Sequence, residues 1–423
     1  MAFLTLEDPN ARIKGSRDPL GMVAVWSSFG RRAVGNLTTA STSVRGFTTL
    51  LLARYFAQQL VDEGRVSAED ALNVFLRMEQ MCGYVRYAAH RAGGEVRGIE
   101  RVRANAKDKK VLIHHSEGAI LSDQKTYGLW GLYSVPSRTS GLIPEGPLGV
   151  TARAQRVIED VYLPLLAPAR TRLERLLCRG GDFRLTKAEK IFASLAKVLQ
   201  PKFRAGERAL YGNALRDGDE VEHLPTGRQR HLRELLETSD RLDDDIGRED
   251  VLELANRAAA VDEGLSSALA DIATLESFLA PSAALFEHLL ACGGKRPKTI
   301  ATSLTERWDA QVPGLDPRAF GALSDRIAKV VGIEVTQQMV RCQSSLSQGQ
   351  YQEAIAALLH WNALIMGDRK AGPWVRVSEQ GKIDVLYRLV EQELPAEDEL
   401  PTLWRNSYFL PSLQTVTTQL RTA

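Results

Sequence analysis

Apolar side chains return every third or fourth residue along most of this chain, and that period restricts the fold more than any other feature of the sequence. From Ser41 to Glu63, STSVRGFTTLLLARYFAQQLVDE, the residues Val44, Phe47, Leu51 and Tyr55 share one stripe, with Leu52, Phe56 and Leu60 on the adjoining row. Such a stripe belongs to a helix laid on a core, with Ser41 and Thr42 as candidate caps and Gly64 as its stop. The same spacing predicts helices over Leu20–Arg32, Ser67–His90, Ala152–Arg179 (interrupted at Pro164 and Pro168), Thr186–Leu199, Gly227–Thr238 and Arg248–Val261. Further on it predicts Leu265–Phe278, Ser282–Cys292, Pro317–Val331, Val335–Ser347, Gln350–Met366, Gly381–Gln392 and Leu400–Leu420. Only Val111 to Ser116 and the stretch PWVRVSEQGKIDVLY read as strands, the second as a short hairpin whose latter half could equally begin a helix. Neither a glycine-rich phosphate loop nor a strand–helix alternation occurs, which argues against a nucleotide-binding α/β domain. The expectation is a mainly α, multi-helix, two-domain architecture with at most a few short strands.

Charge divides the 423 residues unevenly. Residues 1–210 hold 32 Lys and Arg against 20 Asp and Glu, whereas residues 211–423 hold 22 against 32. The segment RDGDEVEHLPTGRQ, Arg216 to Gln229, breaks the helical period where the balance changes sign, so a junction is expected near residue 215. That gives a basic helical N-terminal domain over 1–215 and an acidic helical C-terminal domain over 216–423. The first half suits an acidic partner, nucleic acid above all; the alternative is that the halves neutralise one another. No run of about 18 uncharged apolar residues and no basic-then-apolar leader is visible, so a cytoplasmic protein without a membrane partner is expected. Cys82, Cys178, Cys292 and Cys342 are too scattered for a zinc motif or a disulfide scaffold and read as buried thiols.

Two basic clusters are the leading functional signal. RGIERVRANAKDKK contributes Arg97, Arg101, Arg103, Lys107, Lys109 and Lys110, a set suited to neutralising phosphates without reading bases. RLTKAEKIFASLAKVLQPKFR adds Lys187, Lys190 and Lys197 on one arc of a helix starting at Thr186, with Ile191, Leu195, Val198 and Leu199 on the buried arc. Arg184, Lys202 and Arg204 flank that helix. Arg31, Arg32 and Arg45 surround the polar run NLTTASTS, where hydroxyls and helix N-terminal amides could seat an anion or simply cap a turn.

Catalytic signatures are missing by contrast. DRLDDDIGRED offers Asp243, Asp244, Asp245, Glu249 and Asp250 to a hard cation, yet consecutive carboxylates cannot all face one ion from a helix, and acids favour a first helical turn anyway. His114 and His115 would point apart in an extended segment, and His223 and His231 flank a Pro-Thr-Gly turn near Glu222 without a ligand spacing. With no nucleophile elbow and no Cys–His signature, no catalytic residue, metal or cofactor is assigned; an enzyme is unsupported rather than excluded.

The stretch TYGLWGLYSVPSRTSGLIPEGPLG, Thr126 to Gly149, cannot be one regular element. Trp130 and Tyr133 are expected on one side of a helical turn, clasping the loop to the N-terminal helices, with Gly128, Gly131 and Gly141 permitting close approach and Arg138 free for an acidic group. Two segments, RDPLGMVAVWSSFGRRAVGNLTTASTSVRGFTTLLLARYF from Arg17 to Phe56 and LWGLYSVPSRTSGLI from Leu129 to Ile143, resemble a family of uncharacterised bacterial accessory proteins encoded in anti-phage defence loci beside helicases and nucleases. The resemblance implies a setting and transfers no active-site residue. Together these readings point to a non-catalytic, nucleic-acid-engaging or scaffold subunit of a defence assembly, with a DNA or RNA backbone as the expected partner and a helicase or nuclease as a candidate protein partner. The alternatives are a metal-dependent nuclease with an unrecognised site, or a pure protein-interaction adaptor.

Overall fold

Val44–Asp62 forms a helix where the stripe predicts it, and its burial extends beyond the stripe: Val44, Phe47, Leu50, Leu51, Leu52, Phe56 and Leu60 are all inaccessible. It packs along Ala71–His90, whose Val74, Phe75, Met78, Met81 and Val85 are equally buried. Burying one such aliphatic or aromatic side chain contributes roughly 1.5–3 kcal/mol, so this helix pair alone can anchor a core. The computed structural model describes residues 18–146, 148–238, 245–309, 311–387 and 393–421. Among them helices dominate, joined by two small antiparallel sheets: Lys110–Ile113 with Gly181–Arg184, and Val375–Val377 with Ile383–Val385. The mainly α reading is therefore correct.

Several boundaries differ from the sequence reading for identifiable reasons. Glu263–Ala291 is one helix and not two, running through Pro281. Phe278, Leu279, Leu285, Phe286 and Leu289 are buried on both sides of that proline, enough apolar area to offset the ~3 kcal/mol it costs. Pro164 and Pro168 are absorbed in the same way, by a π turn at Ile158–Tyr162 and a 3-10 turn at Ala167–Ala169. Ile383–Val385 forms the second hairpin strand where a helix start was expected, and 388–392 fall outside the described residues. The C-terminal segment breaks into Glu397–Thr402 and Leu410–Arg421, with Tyr408 and Phe409 between them at positive φ (47° and 65°).

The chain divides into two compact units, and neither matches the expected split at residue 215. One comprises 31–245 and 409–423; the other comprises 1–30 and 246–408. Residues 216–229 look like a linker in sequence but are stapled at both ends into the first unit. Asn36 Nδ2 donates to the carbonyls of Ala214 and Leu215, and the buried Gln229 bonds Asn36, Leu215 and the amide of Gly35. The C-terminal helix joins that unit through Gln419 Oε1, which accepts the N–H of Val44, and Ser412 Oγ, which donates to Thr38. With these bounds the charge contrast softens but keeps its sign: 35 Lys and Arg against 27 Asp and Glu in the first unit, 19 against 25 in the second.

The second unit is organised on the long helix Glu263–Ala291, flanked by Met22–Gly30 and Arg248–Ala258, with Ile333–Ser347 against Tyr351–Asp368 beside it. That long helix is apolar enough to cross a membrane by length and composition, yet 72% of its apolar window is buried inside the structure, as in the core helix of a folded unit.

The aromatic-glycine stretch is a clasp within the first unit. It contains the helix Leu129–Thr139, with the Tyr133 ring 4.8 Å from Phe47 and the Trp130 ring 5.0 Å from Phe75, both edge-on. Gly46 is the reason Tyr133 fits, since a Cβ there would lie 2.6 Å from its ring. Gly131 is equally constrained, because a Cβ would sit 2.0 Å from the Thr126 carbonyl oxygen. Arg138 is not free: its Nε lies 3.0 Å from Glu145. Trp130 is half-buried, so Trp130→Ala should cost about 2 kcal/mol in urea unfolding, short of the ~3–5 kcal/mol of a fully enclosed ring. Wild-type stability in that variant would mean that the ring packs for some purpose other than holding the clasp.

Candidate nucleic-acid interface

The first small sheet unites the two basic clusters. Its register sets Lys110 opposite Arg184 and Leu112 opposite Asp182, and the Leu185 N–H donates to the Lys109 carbonyl at 2.8 Å. Alternation turns Val111, Ile113 and Phe183 inward and leaves Lys110, Leu112, Asp182 and Arg184 exposed. Like charges directly opposite one another weaken a sheet, and only Lys110 is relieved, by Asp182 at 2.7 Å. Lys107, Lys109, Arg184, Lys187 and Lys190 are exposed and form no ion pair among the described residues. Arg101 and Arg103 are also exposed on the short helix Ile99–Asn105, Arg101 donating weakly to Ala119 and Arg103 pairing with Glu100 at 3.4 Å.

The second cluster is built differently from the expected helix. Glu189 caps the helix Lys190–Val198 by accepting the Ile191 N–H, so Lys187 lies in the preceding turn and not on the helical arc. Ile191, Leu195, Val198 and Leu199 are buried as the pattern requires. Lys190 and Lys197, seven residues apart, remain on the exposed side, about 10 Å apart along the axis.

Three cations belong here that the sequence reading passed over. Arg172, Arg175 and Arg179 recur at three- and four-residue spacing on the exposed side of Arg170–Arg179, the helix that leads into strand Gly181–Arg184. Arg172 Nη2 lies 2.9 Å from the buried Glu189 carboxylate, which places it beside Lys190. Their spacing was available in the sequence; the overall helix over Ala152–Arg179 concealed it.

Arg31 and Arg45 do not belong to an anion seat. Arg45 is 4% exposed, with its Nε donating to Gln200, its Nη2 to Lys202, and its Nη1 paired with Glu207; its guanidinium lies 4.0 Å over Phe203. Arg31 donates to the carbonyls of Val34, Gly35 and Leu37 and lies 3.9 Å over Phe409, with burial lowering its pKa to about 10. Arg32 is half-buried. Ser41 and Ser43 are inaccessible, and the Val44 amide is already taken by Gln419. The polar run is thus largely scaffolding, with only Thr39 and Thr42 of it exposed, and Arg31 and Arg45 are engaged inside the unit rather than turned to an external phosphate.

Other candidate chemistry disperses. Among the described residues no group of three His, Cys, Asp or Glu is placed to hold a metal. Asp243 and Asp244 lie outside the described residues; Asp245 and Glu249 precede or begin the helix Arg248–Ala258, and Asp250 accepts the Gly247 N–H. His114 and His115 do not point apart: their ring centroids lie 4.3 Å apart at a 39° tilt, the strand ending at Ile113 and His114 Nδ1 accepting from Ser116 and Glu117. Desolvation, with His114 and Arg77 nearby, lowers the His115 pKa. His223 is exposed and its pKa is lowered by burial and by Arg31. Cys82, Cys292 and Cys342 are buried, Cys178 partly so, and all four are free thiols.

Fold and site together define a mainly α protein of two units, one of which carries an exposed cationic face assembled across a two-stranded sheet. No family model, curated protein or solved structure matches the chain.

Proposed function

We propose that the chain engages the phosphate backbone of DNA or RNA through this face, as a non-catalytic subunit that holds nucleic acid for others to act on. The pairing of Lys110 opposite Arg184, with the exposed Lys109 and Lys187 close by on the same two segments, carries the reading. It holds like charges together against their mutual repulsion, with one carboxylate to offset them, and a polyanion supplies the missing counter-charge. Exposed lysines, point charges without the fork that reads a base edge, favour backbone contacts over sequence recognition. The resemblance of Arg17–Phe56 and Leu129–Ile143 to defence-locus accessory proteins supports an assembly with a helicase or nuclease as the setting.

Fluorescence polarisation with labelled single- and double-stranded oligonucleotides of unrelated sequence tests this. Affinity should depend little on sequence and fall steeply with salt, each neutralised phosphate contributing about 0.9 to the logarithmic slope on duplex. Charge reversal of Lys109, Arg184, Lys187 and Lys190 together should reduce affinity at least about tenfold at low salt and lower the slope by roughly three units. All four are exposed, so the melting curve should hold. An unchanged affinity and slope in that variant would remove the face from the interface.

A further inference from the structure

The two segments that build the cationic face, 99–115 and 170–198, contain two phenylalanines and neither tyrosine nor tryptophan. Both phenylalanines are turned into the core: Phe183 is 1% exposed on the inward side of strand Gly181–Arg184, and Phe192 is 5% exposed on the helix Lys190–Val198. His114 and His115 supply the remaining rings. These are half-buried with their centroids 4.3 Å apart, and His115 Nδ1 accepts from Arg77 Nη2 at 3.3 Å. Among the described residues of these segments, then, cations are offered to a polyanion and no exposed aromatic plane is offered to a base.

The cations are also held at fixed spacing. Lys109 adopts φ 53° and ψ 17°, a left-handed conformation that glycine or asparagine takes with less strain. It is held there from both sides, its N–H donating to the Ala106 carbonyl at 3.1 Å and its own carbonyl accepting the Leu185 N–H at 2.8 Å. Arg184 is fixed opposite Lys110 by the sheet register, and Lys190 opens a helix whose first turn Glu189 caps. A duplex brings phosphates already set on a rigid lattice, whereas a single strand has to be ordered to meet such a row.

Magnitudes decide which form of nucleic acid gains more. Single-strand binders gain roughly five- to 150-fold in affinity for each base stacked on an aromatic ring. Where stacking is missing, charge density takes over: each neutralised phosphate contributes about 0.9 to the logarithmic salt slope on duplex and about 0.7 on a single strand. For the exposed Lys109, Arg184, Lys187 and Lys190, each meeting one phosphate, that difference amounts to about tenfold in favour of duplex at about 50 mM salt.

We propose that the face takes double-stranded nucleic acid in preference to single strands, an inference that rests on the phosphate-backbone reading. Fluorescence polarisation of the full chain with a labelled duplex of arbitrary sequence, and with a labelled oligothymidine of the same length, compares the two directly. At about 50 mM salt the duplex should bind about tenfold more tightly, and the gap should narrow as salt rises because the slopes differ. Replacing both rings, His114→Ala with His115→Ala, should leave the single-strand affinity within about twofold, since neither serves as a stacking platform. Oligothymidine bound as tightly as duplex, or a loss of about tenfold in its affinity in the histidine variant, would overturn the duplex assignment and leave the backbone reading standing. Absence of binding to either probe would overturn both.

Discussion

Replacing Glu207 with alanine will destabilise the protein by about 3–5 kcal/mol, the cost of leaving Arg45 charged, buried and unpaired. Glu207 is inaccessible to solvent and bonds in two directions. One oxygen meets Arg45, and the other accepts the Arg204 N–H at 2.7 Å, capping Ala205–Tyr211. Arg45 reaches Thr48 at 3.4 Å, Thr48 accepts from the Tyr211 hydroxyl at 3.0 Å, and Tyr211 meets Tyr162 at 3.2 Å, so the loss strands a whole polar network. The double variant Arg45→Met, Glu207→Leu should recover most of that stability, because removing both charges also removes their desolvation cost. Urea unfolding with both midpoint and slope recorded checks this; a single-variant loss under about 1 kcal/mol would mean that water reaches the pair.

This ion pair also shows where the sequence stops speaking. Arg45 beside NLTTASTS has the composition of an anion seat, and nothing local reveals that Glu207, Gln200 and Lys202 satisfy it from the far end of the same unit. The apolar stripes were legible because helical period is local: Val44, Phe47, Leu51, Leu52, Phe56 and Leu60, and Ile191, Leu195, Val198 and Leu199, are buried as their spacing requires, with Tyr55 half-buried at the edge of its stripe. Each basic cluster was legible for the same reason. Their union was not, since it depends on Lys110 pairing with Arg184, a contact between segments far apart in the chain that no local pattern encodes. Residues 216–229 read as a domain boundary because glycine, proline and acids mark any loop, and only Asn36 and Gln229 decide that this loop is tied down inside a unit. The break at Pro281 was over-read for a related reason, whereas around Pro164 and Pro168 the α-helix does give way to a π turn and a 3-10 turn. Propensity assigns each proline a fixed cost, and the burial around Pro281 exceeds it.

Glu79 should contribute roughly 3 kcal/mol of stability that is lost as pH rises from about 5 to about 8. Its carboxyl is fully enclosed, and desolvation raises its pKa from 4.5 to about 7 despite hydrogen bonds from Gln124 Nε2 at 2.9 Å and the Leu129 N–H at 2.7 Å, and despite the nearby charge of Arg97. A raised carboxyl pKa means that the folded chain holds this proton more tightly than the unfolded chain. Its contribution is therefore greatest below the ordinary value near 4.5, and it is lost as pH climbs through about 7. Each unit of difference corresponds to about 1.4 kcal/mol. Asp18 and Glu276 are also raised by burial and act with the same sign, so the decisive quantity is the difference between wild type and Glu79→Gln across the pH series. Glutamine keeps an acceptor for the Leu129 N–H but carries no proton to lose, so its curve should lack the Glu79 component and cross that of wild type. Parallel curves would show that the enclosed carboxyl titrates at its ordinary value. The same geometry accounts for Gly128 at the head of the aromatic stretch: a Cβ there would lie 2.7 Å from a Glu79 oxygen, so the residue that lets the carboxyl reach the first amide of Leu129–Thr139 has to be glycine.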